Sequence, residues 1–151
     1  MISRFFESKD KDKLTEVIDS VCAECKWMST KRFEPTAQWQ HSLSVLDCQA
    51  HTLFVVEEKN DVIGWCRIFP ENCLVPLSRG ELGIGLVLAY RNKKFGQQIL
   101  ETAFSWALKK GLKQIDLTVN KGNKIAFHLF NKFGFVIVNQ VKDVYFMTAR
   151  I

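Results

Sequence analysis

Residues 90–100 read Tyr-Arg-Asn-Lys-Lys-Phe-Gly-Gln-Gln-Ile-Leu, and they set three cations, Arg91, Lys93 and Lys94, at the start of an amphipathic helix. The first N–H groups of a helix lack intrahelical acceptors, and the helix dipole adds partial positive charge at the same end. Amides and side-chain cations together suit an anion, and phosphate above all. A second group is aromatic. Trp27, Met28, Phe33, Glu34 and Trp39 crowd one segment, where rings beside one carboxylate could hold a cationic amine or could simply pack a core. Cys22 and Cys25 stand three residues apart with no second ligand pair at zinc spacing, and His41, His51 and His128 form no motif. Core packing is the expected role of the cysteines, and no metal site is expected.

The elements that must position these residues follow from periodicity. Leu14, Val17, Ile18, Val21, Cys22 and Cys25 recur at helical spacing, which predicts a helix over 9–26 after a short strand at 2–6. Pro35 introduces a short helix at about 36–45. Leu53-Phe54-Val55-Val56 and Val62-Ile63-Gly64-Trp65 flank the turn Lys59-Asn60-Asp61, a hairpin over 51–57 and 61–69. A loop with Pro70 and Pro76 leads to a strand at 81–88 and then to the basic segment. The helix at 95–110 carries Ile99, Ala103, Phe104, Ala107 and Leu108 on one side and ends at Gly111. Ile115, Leu117 and Val119 alternate with polar residues in a strand at 113–119. Asn123 can cap a helix at 124–132, and strands at 134–140 and 143–149 close the chain. The late order of strand, helix, strand, helix, strand, strand implies a partly parallel sheet covered by helices, α/β or α+β.

A chain of 151 residues suits one domain. Its 47% apolar and 25% charged content is ordinary for a globular protein, and no apolar run nears the roughly 20 residues of a membrane span. The N-terminus lacks a signal-peptide core, and five cysteines are an odd count, so a reduced, cytoplasmic protein is expected. Net charge is +5, concentrated at residues 91–132, which carry nine Lys or Arg against two Asp or Glu. That could be a solvated face or a nucleic-acid surface. No recognisable DNA- or RNA-binding motif accompanies it.

The span 81–135 resembles the GNAT superfamily of acyl-CoA-dependent N-acetyltransferases. Arg91-Asn92-Lys93-Lys94-Phe95-Gly96 is similar to the family's Arg/Gln-x-x-Gly-x-Gly/Ala, with Lys94 at the first glycine position. The run from Asn123 to Phe135, with Ala126, Leu129, Phe130 and Gly134, is similar to the family's Asn-x-x-Ala-x-x-Leu-Tyr-x-x-x-Gly-Phe, with Phe130 at the tyrosine. The resemblance implies a GNAT-like mixed, mostly antiparallel sheet with a central parallel pair that splays open between strands 81–88 and 113–119. It implies acetyl-CoA as cosubstrate, with the pantetheine arm on the backbone near Leu86, Val87 and Leu88. The pyrophosphate would lie on residues 91–96, with Gln97 in the same first helical turn. Asn123 would meet the CoA arm, and Phe130 would stand where the family's general acid stands.

The implied reaction is transfer of an acetyl group to a primary amine by direct attack in a ternary complex. The resemblance assigns Glu81 as base through water and the Leu86 N–H as oxyanion donor. Phe130 cannot donate a proton, but a thiol of pKa about 8.5 is a tolerable leaving group. Tyr145 or Cys22 could replace the acid, and packing is the plainer role of each. Trp27, Phe33 and Glu34 fall where the family forms its acceptor pocket. The acceptor expected is a small-molecule or peptide amine, and the lower charge of residues 1–90 favours a cationic one. Oligomeric state is left open, a homodimer included. Two other readings stand beside the enzyme: a non-catalytic CoA-binding or sensor module, and a basic nucleic-acid-binding domain.

Overall fold

Strands with apolar residues on both faces must be covered on both sides, and this sequence supplies two pairs of amphipathic helices to do so. The computed structural model describes residues 1–26, 28, 30–46, 48, 50–70 and 78–151. Its elements run β1 Ile2–Phe5, α1 Lys11–Cys22, α2 Ala37–Ser44, β2 Thr52–Glu58, β3 Asp61–Pro70, β4 Arg79–Leu86, α3 Phe95–Lys109, β5 Gln114–Asn120, α4 Lys124–Lys132, β6 Val136–Val141 and β7 Val144–Arg150. One seven-stranded sheet has the order β1-β2-β3-β4-β5-β7-β6. Only β4 and β5 are parallel; every other neighbouring pair is antiparallel.

Alternation along the strands sorts the core into two layers. Leu53, Val55, Trp65 and Phe69 face α1 and α2, where Leu14, Val17, Ile18, Val21, Trp39 and Leu43 bury. Phe54, Val56, Cys66, Ile68 and Leu82 face α3 and α4, against Ile99, Leu100, Ala103, Ala107 and Phe130. Ile115, Leu117, Met147 and Ala149 continue that second layer across β5 and β7. The β2–β3 hairpin closes on Lys59 and Asn60, both left-handed at φ 52 and 64, the twist that two-residue hairpins favour.

Three sequence boundaries shift. The first helix stops at Cys22 rather than residue 26, because the chain turns through a left-handed Cys25 at φ 57, which leaves Cys25 exposed and Cys22 in the core. The strand expected over 81–88 ends at Leu86, where a 3-10 turn at Leu88–Tyr90 begins. The strand expected from 134 begins at Val136, because Gly134 at φ 91 is spent closing α4. Of the loop expected to hold Pro70 and Pro76, Pro70 ends β3, and residues 71–77 lie outside the described residues. No described helix is long and apolar enough to cross a membrane.

Candidate active site

The central pair of strands parts. β4 and β5 pair only through Arg79–Gln114, Gly80–Ile115 and Glu81–Asp116. Beyond that point β5 stays with β7 as far as Asn120–Val144, and β4 stays with β3 as far as Leu86–Gly64. Val87 N–H donates to the Ile63 carbonyl at 2.9 Å, which fixes the phase of the antiparallel ladder. Alternation then turns the N–H and C=O of Ile84 and Leu86 away from β3 and into the gap. Backbone polar groups inside a sheet cost free energy unless paired, so the opening suits an extended chain bearing amides.

The gap leads to the start of α3. Among the described residues no side chain caps this helix; its N-cap is Lys94, held left-handed at φ 64 and ψ 12. That is the conformation a glycine takes at little cost. Asn92, at φ 63, is left-handed too. Tyr90 stacks on Phe95 at 6.2 Å, and the Lys93 Nζ sits 5.6 Å from the Tyr90 ring. Gly96 lets α3 approach α4, since a Cβ there would stand 2.9 Å from Leu129 Cδ2. Lys132 Nζ donates to Gln97 Oε1 at 3.0 Å, and Gln97 Nε2 donates to Glu101 at 3.2 Å. Lys93 and Lys94 precede this helix end, and Lys132 reaches its first turn through Gln97.

Arg91 departs from expectation. Its guanidinium turns inward, with a two-pronged grip on Glu24 at 2.7 and 2.6 Å and a third bond from Nε to the Leu86 carbonyl at 2.9 Å. A planar fork matches a carboxylate in this way, so Arg91 props the loop against the end of α1 instead of presenting its charge to a phosphate. Hydrogen bonds from Arg91 hold the Glu24 carboxyl below its ordinary range. The Arg91 N–H is engaged as well, by the Leu88 carbonyl at 3.2 Å. Leu88, expected beside the pantetheine arm, lies in the 3-10 turn and is 70% exposed.

The second motif folds as a cap and a core residue. Asn123 Oδ1 accepts the Ala126 N–H at 3.3 Å and starts α4. Phe130 is 5% exposed and packs edge-on against Phe135 at 5.7 Å. Tyr145 packs at a tilt against Phe127, 5.4 Å between centroids, and Cys22 is buried in the α1 layer.

Glu81 marks the fork where β4 and β5 separate, and it is exposed there. Arg67 of β3 reaches it, Nη2 to Oε1 at 3.4 Å. The same guanidinium lies 4.8 Å over the Phe69 ring and 5.8 Å from that of Trp39. Phe33 meets Trp39 edge-on at 5.2 Å, and Trp39 meets Phe69 likewise. The aromatic platform expected from the sequence therefore forms around Phe33 and Trp39, but the cation resting on it is the protein's own Arg67. Glu34 is not part of it; it is exposed and pairs with Arg32 at 3.9 Å. Trp27 lies outside the described residues. Gly83 and Gly85 leave room beside Arg67 and Trp65, whose side chains a Cβ at either glycine would strike.

Sequence reasoning missed Glu24, Arg67 and Lys132. Arg67 had a signal: it is the one charged residue in the apolar run Val62–Phe69. Glu24 had none, since its partner is 67 residues away.

Comparison with known proteins agrees with this geometry. The model of the Acetyltransferase (GNAT) family matches residues 18–135. An acetyltransferase of the GNAT family from Streptococcus pneumoniae superposes with a TM-score of 0.85 at 25% identity, covering 99% of each chain. The putative acetyltransferase yncA from Salmonella typhimurium, solved with its cofactor acetyl-CoA, gives 0.84 at 19% identity over 99% of this chain and 93% of that one. Spermidine N-acetyltransferase from Vibrio cholerae, solved with CoA and spermine, gives 0.79 at 20% identity over 99% and 94%. No curated protein matches the chain.

Proposed function

Because this chain belongs to the GNAT acetyltransferase family, we propose that it transfers an acetyl group from acetyl-CoA to a primary amine, by direct attack while both substrates are bound. The observation that carries the reading is the parting of β4 and β5 ahead of an uncapped, lysine-flanked helix end. One ligand that combines an amide-bearing arm with a pyrophosphate satisfies both features. The arm pairs with the backbone of Ile84, because Arg91 holds the Leu86 carbonyl and the Leu86 N–H is left for the reacting carbonyl. The phosphates lie on the amides of residues 94–97, among Lys93, Lys94 and Lys132. Asn92 and Phe95 shape that loop, and Asn123 and Phe130 support it from α4.

In the reaction the acceptor ammonium first loses a proton to Glu81 through water. The free amine attacks the thioester carbon, a C–N bond forms, and the carbonyl oxygen becomes an oxyanion. The N–H of Leu86, aimed into the gap, stabilises that charge. The nitrogen, cationic after the attack, gives its second proton to water, and collapse of the oxyanion breaks the C–S bond. The CoA thiolate leaves as the anion and takes a proton from solvent, which its pKa of about 8.5 permits without a tyrosine at position 130.

Arg67 bears on the acceptor. A guanidinium held over Phe69 and beside Glu81 suits an acceptor that carries an acidic group next to its amine. A matched panel tests this: amino acids and short peptides with free carboxylates, their amidated forms, and polyamines. We expect kcat/KM to favour the carboxylates by about 10-fold or more, and Arg67→Ala to remove that preference. A preference for polyamines that survives Arg67→Ala would overturn the acceptor assignment while leaving acetyl transfer intact.

A further inference from the structure

Where β4 and β5 are still paired, three donor side chains that the proposed acetyl transfer does not use lie together, and His51 meets the Phe69 ring at 5.1 Å. His41 lies in the last turn of α2, and Cys48 and His51 lie in the segment that joins α2 to β2. The sequence presents them as unrelated. The fold brings the two imidazoles to 4.7 Å between centroids and sets Cys48 Sγ 3.5 Å from His51 Nδ1. One ligand atom from each of the three residues lies within 4.8 Å of the other two.

A second observation points to a ligand. His41 Nε2 is buried and has no hydrogen-bond partner among the described residues; the same holds for Ser42 Oγ and Thr52 Oγ1. A buried imidazole nitrogen without a partner costs stability, and three orphaned polar atoms in one neighbourhood are more than ordinary packing leaves. A cavity of about 230 Å³ opens beside them, lined by Phe6, Ser42, Cys48, His51, Thr52 and Lys110 among others.

We propose that His41, Cys48 and His51 form a zinc site. Two imidazoles and a thiolate are borderline-to-soft donors; they disfavour magnesium and calcium and suit zinc. Tetrahedral bonds of about 2.0–2.3 Å set donor atoms roughly 3.3–3.8 Å apart. The Cys48–His51 separation already meets this, and the remaining pairs close by about 1 Å through side-chain rotation. Binding displaces the Cys48 thiol proton to solvent and forms one Zn–S and two Zn–N bonds. The fourth position faces the cavity, where a water bound to zinc finds acceptors in Ser42 Oγ and Thr52 Oγ1. The ion ties Cys48 and His51 to α2.

The test is metal titration of the full chain after chelator treatment, with Co²⁺ as the spectroscopic probe and Zn²⁺ as competitor. We expect one equivalent of Co²⁺ to give a thiolate-to-cobalt charge-transfer band, removed by Zn²⁺. The band should vanish in Cys48→Ser, persist in Cys25→Ser, and need about 10-fold or more metal in His41→Ala. X-ray absorption of the zinc-loaded wild type, which depends on no variant folding, should count one sulfur and two imidazole nitrogens. No charge-transfer band in the wild type, a band that depends on Cys25, or a zinc shell without sulfur would each overturn the proposal.

Discussion

Three side chains decide how the site works, and each gives a separate prediction. Glu81 stands at the fork of the parted strands, so Glu81→Gln is expected to lower kcat roughly 100-fold. An unchanged kcat would take the base role away from it. Lys94 holds a left-handed conformation that an L-residue enters at a cost of about 1–2 kcal/mol, partly offset by the flexibility glycine adds to the unfolded chain. Lys94→Gly should therefore stabilise the fold by up to about 1 kcal/mol and raise KM for acetyl-CoA, since a cation leaves the helix end. A melting temperature that falls would show that the lysine is not strained.

Glu24 gives the pH dependence. Its hydrogen bonds from Arg91 depress the folded pKa below the ordinary value of 4.5. A depressed acid contributes its full stability above the unfolded pKa and loses it as pH falls through the folded one. Glu24→Gln should cost about 1 kcal/mol at pH 7 and nothing once Glu24 of the wild type is protonated in both its folded and its unfolded state. Melting curves of the two proteins should converge in strong acid; parallel curves would deny the Arg91 pairing.

At the scale of elements, the sequence was readable wherever local periodicity decides structure. The helical stripe that starts at Leu14 lies in α1 as far as Cys22, with Cys25 outside it, and the alternation of Ile115, Leu117 and Val119 lies in β5. The turn expected at Lys59-Asn60-Asp61 forms on Lys59 and Asn60, with Asp61 opening β3. The parting of the strands lay in the two motifs taken together, since neither β4 nor β5 carries a local mark of where pairing stops. What stayed hidden depends on distant pairing. Arg91 looked like a phosphate ligand because its neighbours are cationic, but its partner comes from the end of another helix. Cys48, His41 and His51 have no recognisable spacing, because a loop rather than one element gathers them. Gly85 shows how tightly β4 fits its neighbour: a Cβ there would stand 2.2 Å from the buried Trp65 indole. Gly85→Ala should cost about 1–3 kcal/mol, read as a melting temperature several degrees lower. Full stability in that variant would mean that Trp65 can move aside.

For the whole molecule, the charge distribution and the fold lead to one ligand. Part of the basic excess at 91–132, Arg91, Lys93, Lys94 and Lys132, lies at or near the start of α3, where the gap ends, while Lys109, Lys110 and Lys113 lie at its far end. Saturating CoA at about 100 times its Kd should add about 2.7 kcal/mol of stability. For a protein of this size that is a rise in melting temperature of about 5–10 °C. A comparable shift with DNA or RNA and none with CoA would favour the nucleic-acid reading. A shift with CoA alone leaves the choice between an enzyme and a CoA-binding module.

That choice rests on Phe130, whose buried ring removes the usual proton donor but not the thiolate's ability to leave. The deciding measurement follows acetyl-CoA and amines with the wild-type protein, with free thiol and acetylated amine quantified in the same reaction. Thiol and acetylated amine should appear together, one for one, over many turnovers. Tight CoA binding with neither product from any amine would contradict acetyl transfer and leave a module that binds CoA without using it.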